Sequence, residues 1–231
     1  MKLKILFLFP FFISVTPLFT QEYDTPNIIY ILADDMGFGD VKAYNDEAKF
    51  PTPHIDQMVR QGVKFTDAHT SSSVCTPTRY GILTGRYAWR THLKKGVTHG
   101  LTEHLIDTKR ITVARYLKMK GYATAVVGKW HLGTHPNFHP LNRGFDYFYG
   151  FLSGGHNYFM NQLTIENLEN VKSKWAWYRT KLRENHKTLE FEDYKTDYLT
   201  DELSEAALRF IDIQAENDKS FFLFLSYNAP H

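Results

Sequence analysis

Three runs of β-branched, aliphatic and aromatic residues, PNIIYILADD (26–35), YATAVVGKWH (122–131) and SFFLFLSYNAPH (220–231), each run directly into polar, chemically capable side chains. Continuous apolar runs of this length read as strands buried on both faces, which is the pattern of a parallel sheet. Parallel strands need long crossovers, usually helical, and the intervening sequence supplies them. Thr52-Pro53 opens PHIDQMVRQ, which Gly62 stops. TPTRYGILTG carries Pro77 in its first turn and places Cys75 at or just before a helix N-terminus. Residues 111–121, ITVARYLKMKG, set Val113, Tyr116, Leu117 and Lys120 on one face, and Gly121 closes them. In YLTDELSEAALRFIDIQ (198–214), Leu199, Leu203, Ala206, Phe210 and Ile213 recur at helical spacing. VKFTDAHT (63–70) reads as a further strand, and residues 154–196, which lack periodicity, as an irregular excursion over the active face. The predicted fold class is α/β, with a mostly parallel central sheet and helices on both faces.

That topology has a chemical consequence. In an open α/β sheet the carboxyl ends of the strands converge on one crevice. Asp34-Asp35, Lys129-Trp130-His131 and the Asn228 to His231 run would therefore meet although far apart in sequence, and Cys75 at its helix start points to the same edge. Taken singly, paired aspartates cap helices and a lone histidine is more often structural. Four such coincidences at one sheet edge predict a site.

Cys75 is the single cysteine of 231 residues. The apolar stretch at residues 5–19, preceded by Lys2 and Lys4, is shorter than the roughly twenty residues of a spanning helix. It reads as a secretory signal peptide over residues 1–20, cut near Thr20 or Gln21, with an uncleaved anchor as the alternative. Exported domains normally use cysteines in pairs. A lone one is a buried apolar residue, a partner in intermolecular pairing or a reactive thiol, and its serine, threonine, proline and arginine neighbours argue against a core position. Net charge is +2, which loss of Lys2 and Lys4 brings to 0, so no basic field for nucleic acid exists. Aromatics reach 16%. The cluster Trp175, Trp177 and Tyr178 reads as core packing ahead of a sugar platform, and His156 as a surface-loop residue ahead of a pocket-lining one. His131, His135 and His139 are spaced four apart, but Pro136 and Pro140 preclude the helix a zinc site would need.

CTPTRYGILTGR (75–86), ILADDMGFGD (31–40), GKWHLG (128–133) and the terminal NAPH together resemble the sulfatase family of the alkaline-phosphatase-like superfamily. The resemblance spans residues 26–231 and implies that a maturation enzyme converts Cys75 to Cα-formylglycine (3-oxoalanine). The hydrated aldehyde attacks the sulfur of a sulfate ester, and its second hydroxyl then re-forms the aldehyde and expels sulfate. By the same resemblance Asp34, Asp35 and residue 75 ligate a divalent ion, Ca²⁺ or alternatively Mg²⁺. Arg79 holds the gem-diol and neighbouring carboxylates, Lys129 bridges formylglycine and sulfate, and His131 assists deprotonation of the second hydroxyl. His231 contacts the sulfate or protonates the leaving oxygen.

The expected substrates are sulfated carbohydrates or aryl sulfates, handled by an exported, periplasmic or secreted protein without stable membrane insertion. A formylglycine-dependent phosphoester or phosphonate hydrolase, or a non-catalytic sulfated-glycan-binding remnant, are the alternatives. The family's remaining metal ligands, an Asp-Asn pair, and a second sulfate-binding lysine lie beyond the sequence pattern seen here. Residues 21–231 are thus expected to be the N-terminal part of a catalytic domain whose sheet is incomplete at the C-terminus. Such a fragment would turn over little ester alone, with the FFLFLSY strand left open along an apolar edge and face.

Overall fold

A computed structural model describes residues 25–99 and 105–231, so the expected signal peptide lies outside the described residues. Strands β1 (Ile28–Asp34), β2 (Ala123–Lys129), β3 (Tyr147–Phe151), β4 (Arg183–Glu184), β5 (Lys187–Thr188) and β6 (Phe221–Pro230) form one sheet in the order β1-β6-β2-β3-β4-β5. The β1, β6, β2 and β3 strands are mutually parallel, and the short β4–β5 hairpin adds antiparallel pairing at the far side. Helices α1 (Pro53–Gln61), α2 (Cys75–Thr84) and α3 (Val113–Met119) lie between β1 and β2, and α4 (Leu199–Glu216) precedes β6.

Strand alternation divides the core into two layers. Ala125, Val127, Leu223 and Leu225 face one way, where Leu199, Leu203 and Ala206 of α4 pack on them. Val126, Phe222 and Phe224 face the other, against Tyr80 and Leu83 of α2 and Ala114 of α3. Both faces of β2 and β6 are thus covered, which is why those two runs are continuously apolar. Gly128 lies opposite Ser226 of β6: its φ is +109°, and a Cβ there would collide with the Ser226 carbonyl.

The structure corrects several expectations. β6 is not an open strand; it lies between β1 and β2, and its Phe221 to Ser226 stretch is buried. The apolar edge belongs instead to β1, whose Ile29, Tyr30 and Ile31 are each about half exposed. Residues 63–70 form no strand. The β1 edge is left unpaired by them, and Val63 and Phe65 lie on the surface. The α4 stripe holds through Phe210, but Ile213 is exposed. β3 is a strand that the sequence does not announce, because its aromatic run DYFYG reads equally well as a glycine-bounded loop.

Candidate active site

Because β6 separates β1 from β2, the acids that end β1 and the base that ends β2 face each other across one strand. A register shift between Leu32 and Asp34 brings Asp34 opposite Pro230 and so beside His231. Asp35 and His131 both turn into the left-handed region, with φ of 67° and 54°, immediately past their strands. Such backbone persists only where surrounding contacts enforce it. The α2 helix delivers Cys75 from its first turn and Arg79 one turn later on the same face.

Arg79 is fully buried. Its Nη1 donates to the Lys129 carbonyl (2.5 Å) and to Ser226 Oγ, while Nη2 lies 3.6 Å from Asp34 Oδ2. Ser226 Oγ in turn donates to the Lys129 carbonyl at 2.9 Å. The Arg79 Nε and Nη2 atoms have no hydrogen-bond partner among the described residues. Lys129 Nζ, also fully buried, pairs with Asp34 Oδ2. Burial pulls the Lys129 ammonium below its ordinary value, the Arg79 charge adds to this, and Asp34 opposes both. Burial likewise lowers Arg79, against the Asp34 carboxylate.

His131 is buried and held neutral, with its pKa lowered to about 3 by burial and then by the Lys129 and Arg79 charges. Its Nε2 lies 3.0 Å from the Thr98 carbonyl, which only accepts. The ring proton is therefore assigned to Nε2, leaving Nδ1 as a buried lone pair without a partner among the described residues. His231 Nδ1 pairs with Asp35 Oδ2 at 2.6 Å and lies 3.9 Å from Asp34 Oδ2.

Two adjoining cavities share Cys75. The first, of about 400 Å³, is lined by Asp34, Asp35, Cys75, Thr78 and Arg79. The second, of about 520 Å³, is lined by Cys75, His131 and His231 on one side and by Trp175, Trp177 and Tyr178 on the other. Of the candidate site residues, Asp34, Asp35, Cys75, Arg79, His131 and His231 line these two cavities, whereas Lys129 lines neither and is joined to them through its pair with Asp34. The potential ligand atoms that lie within 4.8 Å of one another belong to Asp34, Asp35 and His231; Cys75 does not join them. Two hard carboxylates at the mouth of the crevice fit a divalent cation such as calcium, whereas an imidazole nitrogen suits it less.

Three placements differ from expectation. Trp175, Trp177 and Tyr178 wall the second cavity instead of packing in the core; Trp175 is 68% exposed. His156 is no surface residue: it is buried against Phe151, with ring centroids 4.4 Å apart, and its carbonyl accepts from Asn228 Nδ2. Ser226 was passed over altogether. Its only signal is a small hydroxyl residue directly after the apolar run Phe221 to Leu225.

A mostly parallel sheet whose strand ends gather two carboxylates, a lysine and two histidines, and to which α2 brings a cysteine and an arginine, defines an α/β protein with a charged crevice at the carboxyl edge of its sheet. The chain belongs to the sulfatase family, whose model matches residues 26–231. It is 52% identical over 116 residues to an N-acetylgalactosamine-6-O-sulfatase of Bacteroides thetaiotaomicron, an alignment covering 50% of this chain and 22% of that protein. Human arylsulfatase G is 42% identical over 128 residues, covering 54% and 23% respectively. The crystal structure of Ps i-CgsB superimposes with a TM-score of 0.79 at 36% identity, over 90% of this chain and 46% of that one. The same protein has been solved in complex with k-i-k-neocarrahexaose. The matched stretches thus span about half of that structure and just under a quarter of each of the two curated relatives. Among the described residues no helix is long and apolar enough to cross a membrane.

Proposed function

We propose that this sulfatase-family protein hydrolyses sulfate esters of carbohydrates, with Cys75 converted to formylglycine as the source of the nucleophile. The observation that carries the reading is Arg79: a buried guanidinium on the Cys75 face of α2, whose Nε and Nη2 make no hydrogen bond among the described residues, Nη2 lying 3.6 Å from Asp34 Oδ2. Buried donors of this kind are costly unless an oxygen-rich group meets them. A hydrated aldehyde at position 75, or the sulfate itself, supplies such oxygens, whereas a thiol is a weak acceptor.

The remaining residues have roles that follow from charge and protonation. Arg79 orients the residue-75 side chain through its fixed fork. Lys129 places a buried positive charge where negative charge grows on the sulfate oxygens. His131, neutral with a lone pair on Nδ1, accepts a hydrogen bond from a hydroxyl at position 75 and so assists its deprotonation. His231 sits at the open side of the crevice, where a leaving oxygen needs a proton. Asp34 and Asp35 would hold a divalent cation, which when bound supplies Lewis-acid charge stabilisation. Carbohydrate esters are favoured over simple aryl esters by the named activity of the Bacteroides relative and by the oligosaccharide bound to the solved neighbour. A maturation enzyme acting on CTPTR, and export by residues 1–20, complete the proposal.

The test is the mass of the tryptic peptide containing Cys75, from protein made in its native host. Conversion exchanges sulfur for oxygen and removes two hydrogens, and Cys75→Ala abolishes turnover of sulfate ester. An unmodified thiol in protein that still hydrolyses sulfate esters would overturn the mechanism. Preference for matched aryl phosphates over aryl sulfates would move the activity to phosphoesters.

A further inference from the structure

We propose that the segment Trp175–Tyr178 is a ring-stacking subsite that holds the sugar carrying the scissile sulfate, and that the Gly154-Gly155 pair builds the floor that seats it. The inference rests on the carbohydrate-sulfatase reading above and extends it from the reacting atoms to the substrate ring. The cavity is continuous with the reaction centre, since Cys75, His131 and His231 form its opposite side. A sulfate placed at Cys75 therefore sets the ring that bears it between those residues and the aromatic wall.

Three observations make this wall a built one. First, its backbone is pinned. The Tyr178 carbonyl accepts from Asn157 N at 2.8 Å, the Arg179 carbonyl accepts from Ile165 N at 2.9 Å, and Thr180 Oγ1 donates to the Trp177 carbonyl at 3.0 Å. Second, the floor has no room for side chains. A Cβ on Gly155 would stand 2.5 Å from the Tyr178 ring, and one on Gly154 would stand 2.6 Å from His131 Nε2. These glycines let the aromatic wall and the proposed base approach from the two ends of one short turn. Third, the rings keep a broad face available to solvent. Trp175 is 68% exposed and lies 6.2 Å from Tyr178 at an interplanar angle of 36°.

A large exposed indole on a pinned segment beside a polar crevice suits a ligand with one apolar face and a polar rim, which describes a pyranose. An aryl or steroid ester would be better served by an enclosed apolar slot, and here the wall stands opposite two histidines. The same open geometry lets a saccharide chain continue past Trp175.

The test separates this inference from the reaction it rests on. Binding is followed by intrinsic tryptophan fluorescence in the Cys75→Ala protein, with a panel of sulfated galactan, chondroitin and heparin hexasaccharides. Turnover of the same panel and of 4-nitrophenyl sulfate is measured in wild-type protein. Trp175→Ala is expected to weaken hexasaccharide binding and kcat/KM by about tenfold while changing 4-nitrophenyl sulfate turnover by less than about threefold, with Trp175→Phe restoring most of the loss. Gly155→Ala, which displaces Tyr178, should follow the same pattern. Loss on both substrates in equal measure would make the wall merely structural and overturn the inference, as would the absence of a fluorescence response to every hexasaccharide. A saturable response lost in Trp175→Ala, without turnover of any ester, would sustain the subsite and overturn the hydrolase reading instead.

Discussion

The Lys129 ammonium and the Asp34 carboxylate form a buried ion pair across β6, joining the ends of two strands that are 95 residues apart in sequence. Arg79 Nη2 stands 3.6 Å from the same carboxylate oxygen, so one acid serves two buried cations. Removing the acid alone leaves both uncompensated, which costs far more than a surface pair. Asp34→Ala should lower unfolding stability by about 3–5 kcal/mol, read by urea denaturation. In the double variant Asp34→Leu/Lys129→Met, part of that loss should return but not all, because Arg79 still faces an apolar group. Full recovery would mean that Arg79 contributes nothing to the pair.

Arg79→Lys tests the fork geometry. A lysine keeps the charge but cannot reach the Lys129 carbonyl and Ser226 Oγ while also facing Asp34. The variant should lose about 2 kcal/mol of stability through the donors withdrawn from Ser226 Oγ and the Lys129 carbonyl, the latter keeping only its bond from Ser226. Turnover should fall by two orders of magnitude or so, as for loss of one oriented donor. Unchanged turnover with lowered stability would confine Arg79 to a structural role.

How much of this was legible in the sequence depends on which interactions carried the signal. Strands β2 and β6 were readable because both faces are covered, and α4 because one stripe is buried through Phe210. Asp34, Asp35, Lys129, His131 and His231 were readable as a group because each closely follows an apolar run, at strand ends that a parallel sheet brings to one edge, whereas Cys75 and Arg79 ride on α2. What the sequence could not supply is lateral order. β1 and β6 look alike as apolar runs, yet one is a half-exposed edge and the other a buried interior strand. Strand propensity misled at 63–70 for a related reason: an extended segment becomes a strand only beside a partner. The aromatic wall was misassigned because composition cannot distinguish a tryptophan in a core from one beside a cavity.

Glu202 makes the same point inside α4, where nothing in the helical pattern marks it. It is fully buried, accepts from the Lys195 and Thr196 backbone amides at 2.7 and 2.8 Å, and accepts from Tyr149 Oη at 2.5 Å. It fastens the end of the 154–196 excursion to the helix beneath. Glu202→Ala should destabilise by about 3 kcal/mol or more, since two amides and a phenol lose a charged acceptor. Proteolysis near residues 195–196 should accelerate at the same time. A variant as protease-resistant as wild type would show that the excursion is held elsewhere.

Calcium addition provides a readout of the acidic pair that does not need turnover. At a free concentration about a hundredfold above Kd, a ligand bound to the folded state alone adds about 2.7 kcal/mol, or roughly 5–10 °C in Tm for a chain of this size. Asp35→Asn should remove most of that shift while leaving the Tm without calcium nearly unchanged, because Asp35 is half exposed. An equal shift in the variant would place the ion somewhere other than the crevice mouth.

Acid stability should report the buried imidazoles. His156 has its pKa lowered from 6.5 to about 4 by burial, and His139 likewise, by burial and by the His186 and Arg183 charges beside it. In the unfolded chain both titrate near 6.5, so between pH 6.5 and about 4 the unfolded state binds protons that the folded state refuses. Stability must then fall as pH falls through that window, with the loss complete below about pH 4. For His156 alone the full loss is about 3 kcal/mol. His156→Gln keeps groups able to meet the Asn157 carbonyl and Thr180 Oγ1 but does not titrate. Its unfolding free energy, measured in urea at pH 7.5, 5.5 and 4.5, should therefore decline less steeply than wild type by up to one proton's worth of slope. Parallel pH profiles for the two proteins would mean that His156 takes up its proton without leaving the fold.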